Sequence, residues 1–251
     1  MGCLHSANLT RDTSGLASFS DAEVSAMLTT GVKPDSSFLS PVMPYWIFHQ
    51  LTPSDAAAIV AYLRTVPAVE HVIPQNEAPF DHVPAAAMPV DDGEIPLATS
   101  GPQMGKSNGR YLAALACSGC HSPDLPPAAP SGRTEDLSRV FQGGRDFKAA
   151  AIPLPSPPYP ADIYSLNLTP DETGLAGWVA ADIVKVLHTG IDDEGKKLCP
   201  PMPFGPMGGF AAVTDEDATD IASYLLGLPA VANQIPAVCV APAAPTAQLR
   251  R

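Results

Sequence analysis

Cys117, Cys120 and His121 stand together in the run Cys117-Ser118-Gly119-Cys120-His121. Two thiols three residues apart on one helical turn can each form a thioether with one of the two vinyl groups of a single flat macrocycle. The imidazole that follows then falls under the centre of the ring, where a metal sits. These residue types at this spacing make the attachment site of a c-type haem, with Cys117 and Cys120 as the thioether pair and His121 as the proximal iron ligand. Covalent attachment lets a small protein hold a large, partly exposed cofactor. Two other chemistries use paired cysteines. A thioredoxin-like redox pair needs a surrounding βαβ pattern, which is missing. A zinc site needs a second C-x-x-C, and Cys3, Cys199 and Cys239 are single.

The chain also resembles itself. Residues 8–43 align without gaps on residues 167–202 at an offset of 159, with 14 identities in 36 positions. Asn8-Leu9-Thr10 matches Asn167-Leu168-Thr169, Gly15-Leu16-Ala17 matches Gly174-Leu175-Ala176, Gly31 matches Gly190, and Met43 matches Met202. After a three-residue insertion the offset becomes 162, pairing Thr52 with Thr214, Tyr62-Leu63 with Tyr224-Leu225, and Ile73-Pro74 with Ile235-Pro236. The sequence therefore reads as two copies of one unit. A counterpart of the C-x-x-C-H motif in the first copy would fall before Met1. The expectation is that the first unit lacks its haem-attachment half, through a misassigned or truncated gene start or through decay of the unit, with the preserved surroundings of Met43 favouring truncation.

A haem iron with a proximal histidine needs a sixth ligand or leaves an open site. Met202 is the best candidate. It sits in Cys199-Pro200-Pro201-Met202-Pro203-Phe204, where flanking prolines restrict φ and hold the thioether at low entropic cost. Met43 occupies the same place in Ser40-Pro41-Val42-Met43-Pro44-Tyr45. The bland reading is a methionine filling a core gap. Met207 has no partner in the first unit. His188 matches Thr29 and reads as solvent-facing. Cys199 could ligate as a thiolate, but its counterpart is Ser40, and in an oxidising compartment a disulfide to Cys239 competes. His49, His71 and His82 read as surface residues.

The elements that must position these residues are helices. Residues 103–119 read as a helix leading into the motif, with Tyr111, Leu112, Leu115 and Ala116 on one face. Residues 122–165 are proline-rich loop with a short helix near 135–142. Residues 178–189 read as a helix through Ile183, Val186 and Leu187, ended by Gly190. Its counterpart at 20–30 opens with the capping box Ser20-x-x-Glu23. The last helix, 214–227, has Thr214 and Asp217 at its start, and its counterpart at 52–65 has Pro53 at the first position. The expected organisation is a truncated unit over 1–75, a proline-rich linker over 76–105, a complete unit over 106–237 and a loose tail over 238–251. The fold class is all-α.

Composition fits this picture. Apolar residues make up 45% of 251 residues, enough for packed cores, and 29 prolines argue for stiff loops and against an extensive sheet. The net charge of −12 excludes nucleic acid and anionic membrane surfaces as partners and favours a basic docking surface. No apolar run approaches the ~18 residues of a membrane span, and no signal peptide is visible.

The helix into Cys117–His121, the segment Asn167-Leu168-Thr169-Pro170-Asp171 with Thr173-Gly174 and Trp178, the Pro201-Met202-Pro203 loop and the Tyr224-Leu225 helix together resemble the class I cytochrome c family, over residues 107–236 as a whole unit and 7–74 as a partial one. The Asn167–Trp178 segment is similar to that of bacterial multi-domain, dihaem-like cytochromes, many of them electron-accepting subunits of periplasmic dehydrogenases. The resemblance implies a small helical fold around one haem c and a periplasmic location. With His121 and Met202 on iron the expected function is electron transfer, since the soft thioether favours the ferrous form. No residue then acts as acid, base or nucleophile, so an electron carrier or electron-transfer subunit is expected rather than an enzyme. The alternatives are a haem enzyme, a peroxidase or sulfur-compound oxidase, with an open or Cys199-ligated distal site, and a first unit kept as a haem-less docking module.

Overall fold

The computed structural model describes residues 3, 5–40, 42–78, 81, 92–102, 107–124, 135–148, 162–204 and 209–236. Part of the expected 103–119 helix, the 238–251 tail, Pro41, His82, Met207 and Cys239 lie outside the described residues. The chain divides into two units, one built from Met1–Gly93, the other from Glu94–Asp124 and Glu135–Arg251.

The first unit contains α1 (Asp21–Thr30), α2 (Tyr45–Phe48) and α3 (Pro53–Thr65). Helix α1 begins at a full capping box: Ser20 Oγ accepts from the Glu23 N–H, and Glu23 accepts from the Ser20 N–H at 2.7 Å. It ends at Gly31, whose φ of +71° suits glycine and whose N–H donates to the Met27 carbonyl. The Tyr45 ring lies against Gly31 so closely that a Cβ there would be 2.7 Å from it. The core is Leu16, Val24 and Val60, with Phe19, Met27 and Leu63 packed around them. Arg64, in the last turn of α3, donates to the carbonyls of Leu16 and Phe19 and pairs with Asp21 at 2.8 Å, which ties α3 to the start of α1.

The second unit contains α4 (Asn108–Ala116), a two-stranded antiparallel sheet of β1 (Asp146–Phe147) and β2 (Ile163–Tyr164), α5 (Ala180–Thr189) and α6 (Asp215–Leu226). Ser107 caps α4 and Thr214 caps α6 through their side chains. Helix α5 ends at Gly190 in the left-handed region, φ +68°, and buries Ile183, Val186 and Leu187, the face the periodicity predicts. Helices α4 and α6 pack closely because Gly109 has no side chain: a Cβ there would lie 2.1 Å from the Asp220 carbonyl oxygen. Tyr224 is fully buried, donates to the Pro96 carbonyl at 2.6 Å and meets Phe141 edge-to-face at 5.8 Å. Such an aromatic pair adds about 1 kcal/mol beyond its area.

The hydrogen-bond pattern recurs at matching positions of the two units. Asn167 Nδ2 donates to the carbonyl of Val231 and to Thr173 Oγ1, while its Oδ1 accepts from the backbone and hydroxyl of Thr169. Asn8 makes the same four bonds, to Val69, Ser14 and Thr10. As Tyr45 lies on Gly31, Phe204 lies on Gly190.

Several expectations need correction. The described helix α4 starts only at Asn108, and its buried side is Gly109, Arg110, Ala113 and Ala114; Tyr111, Leu112 and Leu115 are half-buried. Close packing against α6 selects small residues over bulky ones. Residues 94–102, expected as linker, belong to the second unit: Ile95 and Ala98 are buried, the Thr99 N–H donates to Gly227, and Arg110 donates to Ile95. The short helix near 135–142 is a single 3-10 turn, Leu137–Arg139. The molecule is mostly helical, but β1–β2 adds a small sheet. His188 is half-buried and lies 3.3 Å from Asp215, not free on a solvent face.

Candidate haem-attachment site

The motif continues the last turn of α4. The Cys117 N–H donates to Ala113, the His121 N–H donates to Cys117 at 2.9 Å, and the buried hydroxyls of Ser118 and Ser122 bond the carbonyls four residues back. This helical continuation brings Cys117, Cys120 and His121 together on successive turns. Cys117 is buried and Cys120 exposed. Burial pushes the Cys117 thiol up to about 12, with Cys120 adding to the effect, and burial raises Cys120 as well. Both therefore stay protonated at neutral pH. A redox pair of the thioredoxin kind requires a depressed thiol, so the environment opposes that reading.

His121 is 9% exposed, and its Nδ1 lies 2.8 Å from the Leu166 carbonyl oxygen. A carbonyl only accepts, so Nδ1 carries the proton and Nε2 keeps its lone pair. Burial lowers the pKa of His121, which keeps the ring neutral. A neutral imidazole with one nitrogen tied to a backbone carbonyl and the other free is the donor a haem iron takes. Here the residues fit the group that the motif implies.

The loop carrying Leu166 is held by backbone approach. The Gly143 N–H donates to His121 O and the Gly144 N–H to Ser165 O. Gly143 has φ +69°, and a Cβ on it would be 2.4 Å from the Leu166 carbonyl group. Arg145 bonds the Gly119 carbonyl inside the motif and the carboxylate of Glu135, which is 6% exposed; its Nε lies 3.6 Å from Asp124. Sequence reasoning missed Leu166, Gly143 and Arg145. The adjacent Gly143-Gly144-Arg145 was the signal, since paired glycines mark a close backbone approach.

Met202 stands half-buried on the loop between α5 and α6. Two anchors bracket it. The Phe204 ring sits on Gly190, and the Leu198 N–H donates to Gly190 O at 2.7 Å. Cys199 is disulfide-bonded; the partner expected from the sequence, Cys239, lies outside the described residues. A sulfur held in a disulfide supplies no thiolate, which overturns Cys199 as an iron ligand. Among the described residues no helix is long and apolar enough to cross a membrane.

No family model matches the chain. Its homologues include cytochrome c subunits of dehydrogenases and a dihaem cytochrome c, at modest identity. It is 27% identical over 248 residues to the cytochrome c subunit of the quinone alcohol dehydrogenase of Gluconacetobacter polyoxogenes, covering 92% of this chain and 49% of that subunit. It is 31% identical over 124 residues to the fructose dehydrogenase cytochrome subunit of Gluconobacter japonicus, covering 48% of this chain and 20% of that subunit. It is 25% identical over 232 residues to a dihaem c-type cytochrome of Cereibacter sphaeroides, covering 86% and 68%. The chain spans about half the length of the alcohol dehydrogenase subunits it matches.

Proposed function

We propose that this protein transfers electrons through a haem c that Cys117 and Cys120 would bind covalently and whose iron His121 Nε2 and the Met202 sulfur would hold. When bound, the haem supplies a one-electron ferric–ferrous couple. The chain's residues do the rest. Leu166 and Gly143 fix the His121 ring, and the Leu198 and Phe204 anchors hold the loop that presents Met202. The Met202 thioether would raise the potential, because a soft sulfur favours the ferrous form. Neither role needs an acid, a base or a nucleophile. We further propose that the chain is two copies of one unit. It works in the periplasm as a cytochrome subunit accepting electrons from a dehydrogenase or passing them along a respiratory chain. The charge of −12 suits a transient encounter with a basic partner surface.

The observation that carries this reading is the 2.8 Å hydrogen bond from His121 Nδ1 to the Leu166 carbonyl, which leaves Nε2 as the donor nitrogen in the same short run as Cys117 and Cys120. The test is expression with a signal peptide and haem-maturation proteins. A pyridine haemochrome assay then counts haem, and the ferric spectrum is searched for the weak sulfur-to-iron charge-transfer band in the red. One covalent haem with that band is expected. A high-spin spectrum favours the haem enzyme instead, and absence of covalent haem overturns the reading.

A further inference from the structure

The carbonyl of Gly119 lies inside the motif, between Cys117 and Cys120. In a continuing helix it would accept from the N–H four residues on, but that residue is Pro123, which has none. The guanidinium of Arg145 supplies the missing donor, bonding the Gly119 oxygen through Nη1. The same nitrogen bonds the carboxylate of Glu135. A charge pair is thereby anchored on the backbone beside Cys120, two positions before His121.

Both charges are withdrawn from water and held in place. The Glu135 side chain is 7% exposed and that of Arg145 23%, whereas Asp124, 3.6 Å from Arg145 Nε, is 39% exposed. The Arg145 N–H donates to Ser165 Oγ at 3.0 Å, and its carbonyl accepts from the Ser165 N–H at 3.1 Å. Its guanidinium carbon stands 5.6 Å from the centre of the Phe147 ring. Asp124 and Glu135 are paired as an antiparallel bridge. Charges fixed in a low dielectric act on a neighbouring group more strongly than charges in water. The Cys120 sulfur registers both: burial raises its pKa, Arg145 lowers it, and Glu135 raises it again.

We propose that Arg145 and Glu135 set the reduction potential of a haem carried on Cys120, as two charges of opposite sign fixed against the motif. This rests on the proposed haem attachment. Reduction adds one electron to the iron, supplied by the redox partner, and no bond forms or breaks. The Arg145 cation favours the state with the extra electron and raises the potential. The Glu135 anion disfavours that state and lowers it. Asp124 acts less, because water screens it.

The test is redox titration of the haem-loaded full chain, followed by its visible spectrum, with Arg145→Gln, Glu135→Gln, the two combined, and Arg145→Lys. Arg145→Gln should lower the potential and Glu135→Gln should raise it. Each shift should be about tenfold in the ferric-to-ferrous ratio at a fixed applied potential, or ~59 mV for one electron. The combined variant should return close to the starting value. Arg145→Lys keeps the charge and loses the planar fork, so it should stay there too. A purely structural role breaks the same contact in either single variant and moves both potentials one way. Shifts of the same sign, absent shifts, or an Arg145→Lys shift as large as that of Arg145→Gln overturn the proposal. Where Arg145→Gln loads too little haem to titrate, a rise with Glu135→Gln and none with Arg145→Lys supports it, and any other pair of results overturns it. A chain that takes no covalent haem overturns the proposed electron transfer and this inference together, whereas haem with shifts of one sign overturns the inference alone.

Discussion

His121 Nδ1 and the carbonyl oxygen of Leu166 meet at 2.8 Å across 45 residues of chain. The bond orients the ring, assigns its tautomer and leaves Nε2 as the donor. It requires the Leu166 backbone to come close, and Gly143 makes room for that approach. Position 143 therefore governs the His121 ring through the Leu166 backbone, in addition to the bond that its own N–H donates to the His121 carbonyl.

Gly143→Ala should remove this room. Its φ of +69° disfavours a side chain, and the new methyl would meet the Leu166 carbonyl group at 2.4 Å. The expected cost is about 2–4 kcal/mol, with a lower yield of haem-loaded protein. Thermal melts and haem content per chain check it. Gly177→Ala, where nothing lies within 4 Å, serves as the control for φ alone.

Met202→Ala should abolish the sulfur-to-iron band and lower the potential by on the order of 0.1–0.3 V, within the ~0.8 V that axial ligands command. Met207→Ala should leave both unchanged. Spectra and redox titration decide it, and the opposite result would move the ligand to Met207.

Without haem, stability should depend on His121. Its pKa is lowered from 6.5 by burial, so below 6.5 the unfolded chain binds the proton that the folded chain refuses. This part of the stability is complete above 6.5 and is lost as pH falls toward the lowered folded value. Urea melts of the haem-free chain should weaken across that window, and His121→Leu should flatten the dependence.

Arg145→Gln should destabilise the second unit by about 3 kcal/mol, because Glu135 is a buried carboxylate that loses its guanidinium partner. Combining it with Glu135→Gln should restore part of the loss. A double-mutant cycle by denaturant melts measures the coupling.

What the sequence revealed was what side chains announce. The C-x-x-C-H run, the caps at Ser20 and Thr214, and the terminating Gly31 and Gly190 have residue types that only a few local structures use. The partner of His121 was hidden because a backbone carbonyl has no side-chain signature, and Leu166 looks like any loop leucine. The buried side of α4 was misread because periodicity weighs Tyr111, Leu112 and Leu115, while close packing on α6 favours Gly109 and Ala113. Residues 94–102 lack periodicity, yet Ile95, Pro96 and Ala98 are fixed by single contacts to α4 and α6, which no pattern encodes.

The Asn8 and Asn167 clasps have the same bonds, each reaching from the loop ahead of one helix, α1 or α5, to the chain beyond its unit's last, α3 or α6. One amide side chain thereby closes a loop of about sixty residues in each unit, as a crosslink would. Loss of that single amide would release both ends of the loop together.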